Sequence, residues 1–133
     1  MRTIQANDLL TFWIDALNRG HVDAADDVFT PDCVVHVTGF APIEGVEAWK
    51  QTIGGFIAAF PDIQFTVEEQ IVADDRVVTR WHARATHRGH FGPIPPTGRR
   101  ISVDGLMIDH LRDGRIAQRW EQFDYAAIVQ QLS

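Results

Sequence analysis

Residues 76–88, RVVTRWHARATHR, decide how this chain folds. Val77, Thr79, Trp81, Ala83, Ala85 and His87 fall on one side of an extended chain, and Val78, Arg80, His82, Arg84, Thr86 and Arg88 on the other. A period of two, with arginines confined to one side, is a strand with one face on a core and one in water. Downstream, GHFGPIPPTG at 89–98 is too rich in Gly and Pro to continue a strand and reads as a loop. Residues 100–112 resume a strand, Asp113-Gly114 turns it, and 115–123 runs back. Tyr125 to Leu132 reads as a closing helix. Upstream, Asp74-Asp75 is a turn. Before it, residues 63–73 set Ile63, Phe65 and Val67 against Gln64, Thr66 and Glu68.

The N-terminal half supplies the helices. Residues 4–19 carry a stripe of Leu10, Trp13, Ile14 and Leu17 and stop at Asn18-Arg19-Gly20. Asp23 caps a short second helix that runs to Phe29. Cys33 to Val37 is a β-branched strand, Gly39 to Gly45 a loop, and 46–60 a third helix with Trp49, Ile53, Phe56, Ile57 and Phe60 on one side. The long strands are adjacent in sequence. That order predicts an α+β fold: a cone-shaped, curved antiparallel sheet with helices packed on its concave side, as one domain over 1–133. The mouth of such a cone is a natural small-molecule site.

Composition narrows the function classes. The 133 residues are 45% hydrophobic and carry a net charge of −6, so a basic nucleic-acid-binding face is not expected. Attraction to acidic membranes is not expected either. A single Cys allows no internal disulfide. No apolar run reaches the roughly 20 residues of a membrane span, and the N-terminus lacks signal-peptide features. The expectation is a cytoplasmic protein. No Gly-rich phosphate loop or Gly-x-Ser-x-Gly elbow is present.

Thr86-His87-Arg88-Gly89, Ile94-Pro95-Pro96-Thr97-Gly98-Arg99, Asp113-Gly114-Arg115-Ile116, Trp120, Asp124 and Gln131-Leu132 form a recognisable series. With His36 and Phe60-Pro61-Asp62, this series resembles the SnoaL-like polyketide cyclase (ester-cyclase-like) family of the nuclear-transport-factor-2-like superfamily. The resemblance covers nearly the whole chain. It implies a cystatin-like α+β barrel and a pocket for a small apolar carbonyl compound. It also implies a cofactor-independent enzyme that closes a ring by intramolecular aldol condensation, with an Asp as acid/base. By its place after the last strand's Trp, that residue is Asp124. The same cone also serves ketosteroid isomerases, dehydratases, epoxide hydrolases and non-catalytic binding or dimerisation modules, so each of these stays open.

Register and parity fill in the site. A three-residue turn at Arg112-Asp113-Gly114 sets Leu106 opposite Trp120 and Ser102 opposite Asp124; a two-residue turn sets Arg112 opposite Arg115. The first stacks Leu106 and Ile108 with Ile116 and Trp120, and is preferred. His87 faces inward by its parity with Trp81, so His87 and Asp124, with Asp104 beside them, are expected to gather at one end of the cone. There the resemblance implies Asp124 as the catalytic acid/base, and His87 is expected to assist it in catalysis. Asp104, His36, Trp81, Phe91 and Trp120 serve as substrate-binding residues. A carboxyl buried among Trp rings has its pKa raised, which suits a base. Asp124 also has a plainer reading as the N-cap of the last helix, and His87 as a loop anchor. A metal is not expected, because the His residues lack tight ligand spacing, and the resemblance implies that no cofactor takes part. Trp120 is expected between Leu106 and the third helix. The Phe91–Pro96 loop, hinged on Gly89, Gly92 and Gly98, is expected to gate the pocket. A homodimer is expected through an outer face of Val78, Arg80, His82, Arg84, Arg119, Glu121 and Phe123.

Overall fold

A computed structural model describes residues 6–133. Helix α1 spans Ala6–Asn18; the two positions before it that the sequence pattern includes lie outside the described residues. A 3₁₀ turn at Val22–Ala24 leads into α2 (Ala25–Val28), and no side chain caps either, so Asp23 is not the cap expected of it. Strand β1 (Phe29–Val37), the short β2 (Ile43–Glu44) and α3 (Val46–Ala59) follow. The chain ends with β3 (Gln64–Ala73), β4 (Arg76–Thr86), β5 (Arg100–Arg112), β6 (Arg115–Phe123) and α4 (Tyr125–Gln131).

The strands form one six-stranded, unclosed sheet in the order β2-β1-β6-β5-β4-β3. Hairpin neighbours make β3 to β6 an antiparallel meander. Strand β1 adds to the free edge of β6, and there the pairing is parallel. The sheet is therefore mixed at that one seam. Strand β1 also begins earlier than the β-branched run suggests. Its Pro31 is tolerated because the β1–β6 register shifts between Phe29 and Val34, where a missing N–H breaks no ladder.

Parity on β4 holds as read up to Ala85, while Thr86, read on the outer side, is buried at the strand's end. Val77, Thr79, Trp81, Ala83 and Ala85 are buried while Arg80 and Arg84 are exposed. Helix α1 lays Leu10, Trp13, Ile14 and Leu17 into the core, and α3 adds Trp49 and Ile53. Trp13 and Trp49 each meet Phe29 edge-on, with centroids 5.2 and 5.9 Å away. Asn18 locks α1 to the sheet: its Oδ1 accepts from Phe65 N at 2.7 Å and its Nδ2 donates to Phe65 O at 3.0 Å.

The β5–β6 hairpin differs from the preferred reading. Asp113 and Gly114 both take positive φ, 53° and 79°, so the turn closes with two residues and Arg112 opposes Arg115. Next, Leu111 pairs with Ile116 but His110 pairs with Gln118, leaving Ala117 as the extra residue of a bulge. The bulge slides the rest of β6, so Ile108 rather than Leu106 opposes Trp120, and Asp109 opposes Arg119. It also reverses which side chains of β6 point at the core. Arg119, Glu121 and Phe123 turn inward, against the expectation that they form the outer face. Leu106, Ile108 and Trp120 turn outward and are 50%, 42% and 39% exposed. Trp120 is thus not buried against α3; it is flanked by His36, stacked at 5.0 Å, and His110 at 4.6 Å.

Burial sets the order of two substitutions. Trp13→Ala removes a fully buried indole and is expected to cost about 3–5 kcal/mol in denaturant unfolding. Trp120→Ala is expected to cost well under half of that, since its ring keeps much of its contact with water. Equal losses would mean that Trp120 lies inside.

Candidate functional site

The helices do not fill the concave face of the sheet. A cavity of about 410 Å³ remains between α1, α3 and the inner faces of β4, β5 and β6. Its walls are almost wholly apolar: Trp13, Ile14 and Leu17 from α1, Trp49, Ile53, Phe56 and Ile57 from α3, and Phe65, Trp81, Val103, Met107 and Phe123 from the sheet. Phe40, Phe91 and Tyr125 also line it, and Tyr125 lies 5.4 Å from Phe40 and 5.3 Å from Phe91, centroid to centroid.

Gly105 allows Trp81 to lie where it does. The two residues oppose each other across β4 and β5, and a Cβ on Gly105 would sit 2.2 Å from Cζ2 of the indole. Only glycine lets the ring lie this close to the neighbouring backbone.

Two charged side chains line this largely apolar space, Arg119 and Glu121, both from β6. Arg119 is 2% exposed and Asp109, beside it on β5, is 0% exposed. Arg119 Nε donates to Asp109 Oδ1 at 2.6 Å and Nη2 to Oδ2 at 3.1 Å, a bidentate pair. The guanidinium carbon also stands 5.1 Å from the Phe29 ring centroid. Burial alone would lower the Arg119 pKa; Asp109 alongside holds it above the ordinary arginine value. Glu121 follows two residues later on the same face, half-buried and lining the cavity. Burial raises its pKa above the ordinary glutamate value, and the nearby Asp109 charge adds to the rise. Arg119 pulls the other way, as does the Trp81 N–H, which makes no hydrogen bond of full geometry.

The residues expected at the site divide into two groups. Trp81 and Phe91 line the cavity. Phe91 is buried against Phe56, Phe60 and Tyr125. The others lie elsewhere. Asp124 follows the last residue of β6, and Phe123 takes the final inward position before it. Its carboxylate is the N-cap of α4, accepting from Ala127 N at 2.9 Å. His87 lies just past the end of β4, where strand parity no longer applies. Its backbone pairs with Arg99 and Gly98, and its Nδ1 accepts from Thr97 N at 3.1 Å, so it ties together the two ends of the 89–98 loop. His87 is fully buried beside Phe60, and its Nε2 has no partner among the described residues. Asp104 lies on the outer face, bonded to His82, and His36 stacks there on Trp120. The structure therefore does not gather His87, Asp124 and Asp104 around one space.

Asp109, Arg119 and Glu121 went unseen in the sequence. Asp109 carried a signal, because it shares the parity of Ile101, Val103 and Met107, and a charge at a core position needs a partner. The bulge at Ala117 hid the other two. Among the described residues, no three His, Cys, Asp or Glu side chains group as metal ligands, and no helix is long and apolar enough to cross a membrane.

The model of the family described as SnoaL-like polyketide cyclase matches residues 7–132. No curated protein matches the chain. Among solved structures, IdmH from Streptomyces antibioticus, a candidate polyketide cyclase, is 32% identical with a TM-score of 0.84, over 97% of this chain and 99% of its own. AclR from Streptomyces galilaeus, a candidate hydroxylase, is 25% identical with a TM-score of 0.87, over 96% and 94%. A candidate SnoaL-like polyketide cyclase from Jannaschia sp. CCS1 is 21% identical with a TM-score of 0.90, over 96% and 91%, which shows a shared fold.

Two variants probe this geometry. Gly105→Ala is expected to displace the Trp81 ring and shift the protein's Trp fluorescence, with unchanged emission as the contrary result. Glu121→Gln is expected to stabilise the protein at neutral pH. A carboxyl whose folded pKa is raised loses stability as pH climbs from the ordinary glutamate value through the raised one. The gain of the Gln variant should accordingly shrink to nothing as pH falls below the ordinary glutamate value, read from melting curves across pH.

Proposed function

The chain belongs to the SnoaL-like polyketide cyclase family, and from that premise we propose that it is a cofactor-independent enzyme closing a ring in a small, apolar, multi-carbonyl compound. One observation carries the reading: a carboxyl with a raised pKa, Glu121, reaches a largely apolar cavity beside the paired Arg119. Asp109 does not compete for the role, because Arg119 occupies both its oxygens. Glu121 rather than Asp124 is the acid/base in this proposal, since the Asp124 carboxylate is exposed and engaged at the start of α4.

The chemistry follows from those positions. Glu121 takes the proton from a carbon next to a carbonyl, and the electron pair moves onto the carbonyl oxygen as an enolate. The buried, unpartnered Trp81 Nε1–H is a donor for that oxygen. The enolate carbon attacks a second carbonyl of the same molecule, and Glu121 returns its proton to the new alkoxide. Apolar walls raise the basicity of the carboxylate and exclude water from the enolate. IdmH, a candidate polyketide cyclase over almost the same length, supports this reaction class.

The test compares Glu121→Gln with Asp124→Asn on a panel of aromatic poly-ketone esters, with ring closure read by mass spectrometry and absorbance. Glu121→Gln is expected to lose about 100-fold or more, the usual worth of a placed acid–base group. Asp124→Asn is expected to keep both activity and melting temperature, because Asn caps about as well as Asp. The reverse pattern would assign the base to Asp124.

We further propose that two copies pair through Leu106, Ile108 and Trp120, large apolar side chains aligned on the outer face of β5 and β6. Light scattering is expected to give twice the chain mass of 15.0 kDa at micromolar concentration, and the single mass would refute the pairing.

A further inference from the structure

The outer face of the sheet holds a second arrangement that the cavity chemistry does not use. The β4–β5 register sets His82 opposite Asp104 and Arg84 opposite Ser102, so His82 lies diagonal to Ser102. His82 Nδ1 is 2.8 Å from Asp104 Oδ1, and His82 Nε2 is 3.2 Å from Ser102 Oγ. The carboxylate can only accept, so Nδ1 carries the imidazole proton and Nε2 of the neutral ring accepts from the Ser102 hydroxyl. A nucleophile, a base and a group that orients the base thus stand in order at hydrogen-bond distance.

Ser102 also lines a separate hollow of about 430 Å³, beyond Leu106 on the loop side of β5. Arg84, Arg100, Asp62, Thr86 and Gln131 are among its other walls. Neither arginine has a carboxylate partner among the described residues. Asp62 is the opposing charge. Burial raises its pKa, but hydrogen bonds from Thr86 and the charge of Arg88 outweigh that and hold it below the ordinary value. Its Oδ1 accepts from Thr86 N at 2.7 Å. Two guanidinium groups against one carboxylate leave the hollow positive. The Ser102 backbone is held in turn by Gln131, whose Oε1 accepts from Ser102 N at 2.8 Å and whose Nε2 donates to Ser102 O at 2.9 Å.

We propose that Ser102, His82 and Asp104 form a second, hydrolytic site that cleaves small esters bearing a negative charge near the ester carbonyl. Ser102 Oγ attacks the carbonyl carbon while its proton passes to His82 Nε2. The charge that develops on the carbonyl oxygen faces Arg84 and Arg100. The leaving alkoxide takes the proton from His82, and water, activated by His82 in the same way, then releases the acyl group from Ser102. Ser102 and His82 are catalytic residues here, and Asp104 is a positioning residue acting through His82.

The sequence contains only two serines, Ser102 and Ser133, which makes a covalent probe decisive. The protein is incubated with diisopropyl fluorophosphate, and the adduct is weighed intact and mapped by peptide. An adduct on Ser102 and not on Ser133 is expected, with its rate about 100-fold lower in His82→Ala. Asp104→Asn should slow labelling, and Asp104→Glu should restore part of it, which a merely structural role for Asp104 would not do. Mono-p-nitrophenyl succinate should be hydrolysed faster than p-nitrophenyl acetate in the natural chain, and Arg84→Ala should erase that preference. No adduct on Ser102, or equal labelling in His82→Ala, would overturn the site and leave the three residues as a cross-strand polar ladder. Equal hydrolysis of the two esters would overturn the anionic specificity.

Discussion

The buried ion pair between Asp109 and Arg119 is the constraint on which the inner face depends. It couples the two longest-range features of the hairpin: the register of β5 against β6, and the inward turn of β6 after Ala117. Slipping the register by one residue would turn Arg119 to the outer face and leave Asp109 an unpaired charge in an apolar interior, at a cost of several kcal/mol. Removing one partner alone should cost about 3–5 kcal/mol, whereas a well-packed apolar pair can be as stable as the ions it replaces. The pair is therefore better understood as fixing one arrangement than as adding stability. That arrangement carries Glu121 and Phe123 into the cavity and sends Trp120 to the outer surface.

The same pair sets the electrostatics beside the cavity. Both Asp109 oxygens are held by Arg119, so the two charges largely offset each other, and Glu121 is left among apolar walls. Trp81 completes the setting because Gly105 opposite it has no side chain. The outer face is different in kind. Its polar residues stand in water, paired across strands, and any chemistry there relies on their mutual geometry and not on burial.

Much of the fold was legible in the sequence because alternation and punctuation are local. The strict two-residue period of 76–86, the Asp-Gly and Asp-Asp turns, and the stripe of Leu10, Trp13, Ile14 and Leu17 each follow from the chain's own backbone and nearest contacts. The Pro-Pro-Thr-Gly loop, Trp81 and Phe91 were also placed in useful positions. The site was less legible, for a specific reason. A bulge inserts one residue without a strong sequence mark, and every side chain beyond it changes face. Ala117 does this, so Arg119, Glu121 and Phe123 read as surface residues from the turn and are interior ones in the fold. For Asp124 and His87 the plainer readings, helix cap and loop anchor, describe the fold, because past the ends of β6 and β4 capping and loop closure decide the geometry rather than strand parity. The parallel seam between β1 and β6 joins segments far apart in the chain, and no local pattern encodes it.

Burial tunes Glu121, a carboxyl lining the cavity, toward neutrality. Carbon-13 NMR of the glutamate side-chain carboxyls, with the Glu121 resonance assigned by its loss in Glu121→Gln, measures this directly. Glu121 is expected to titrate clearly above the ordinary glutamate value of about 4.3, the direction that burial imposes against the pull of Arg119. A Glu121 titrating at or below that value would contradict it, because the carboxyl would then be solvated or firmly paired and unsuited to take a proton from carbon.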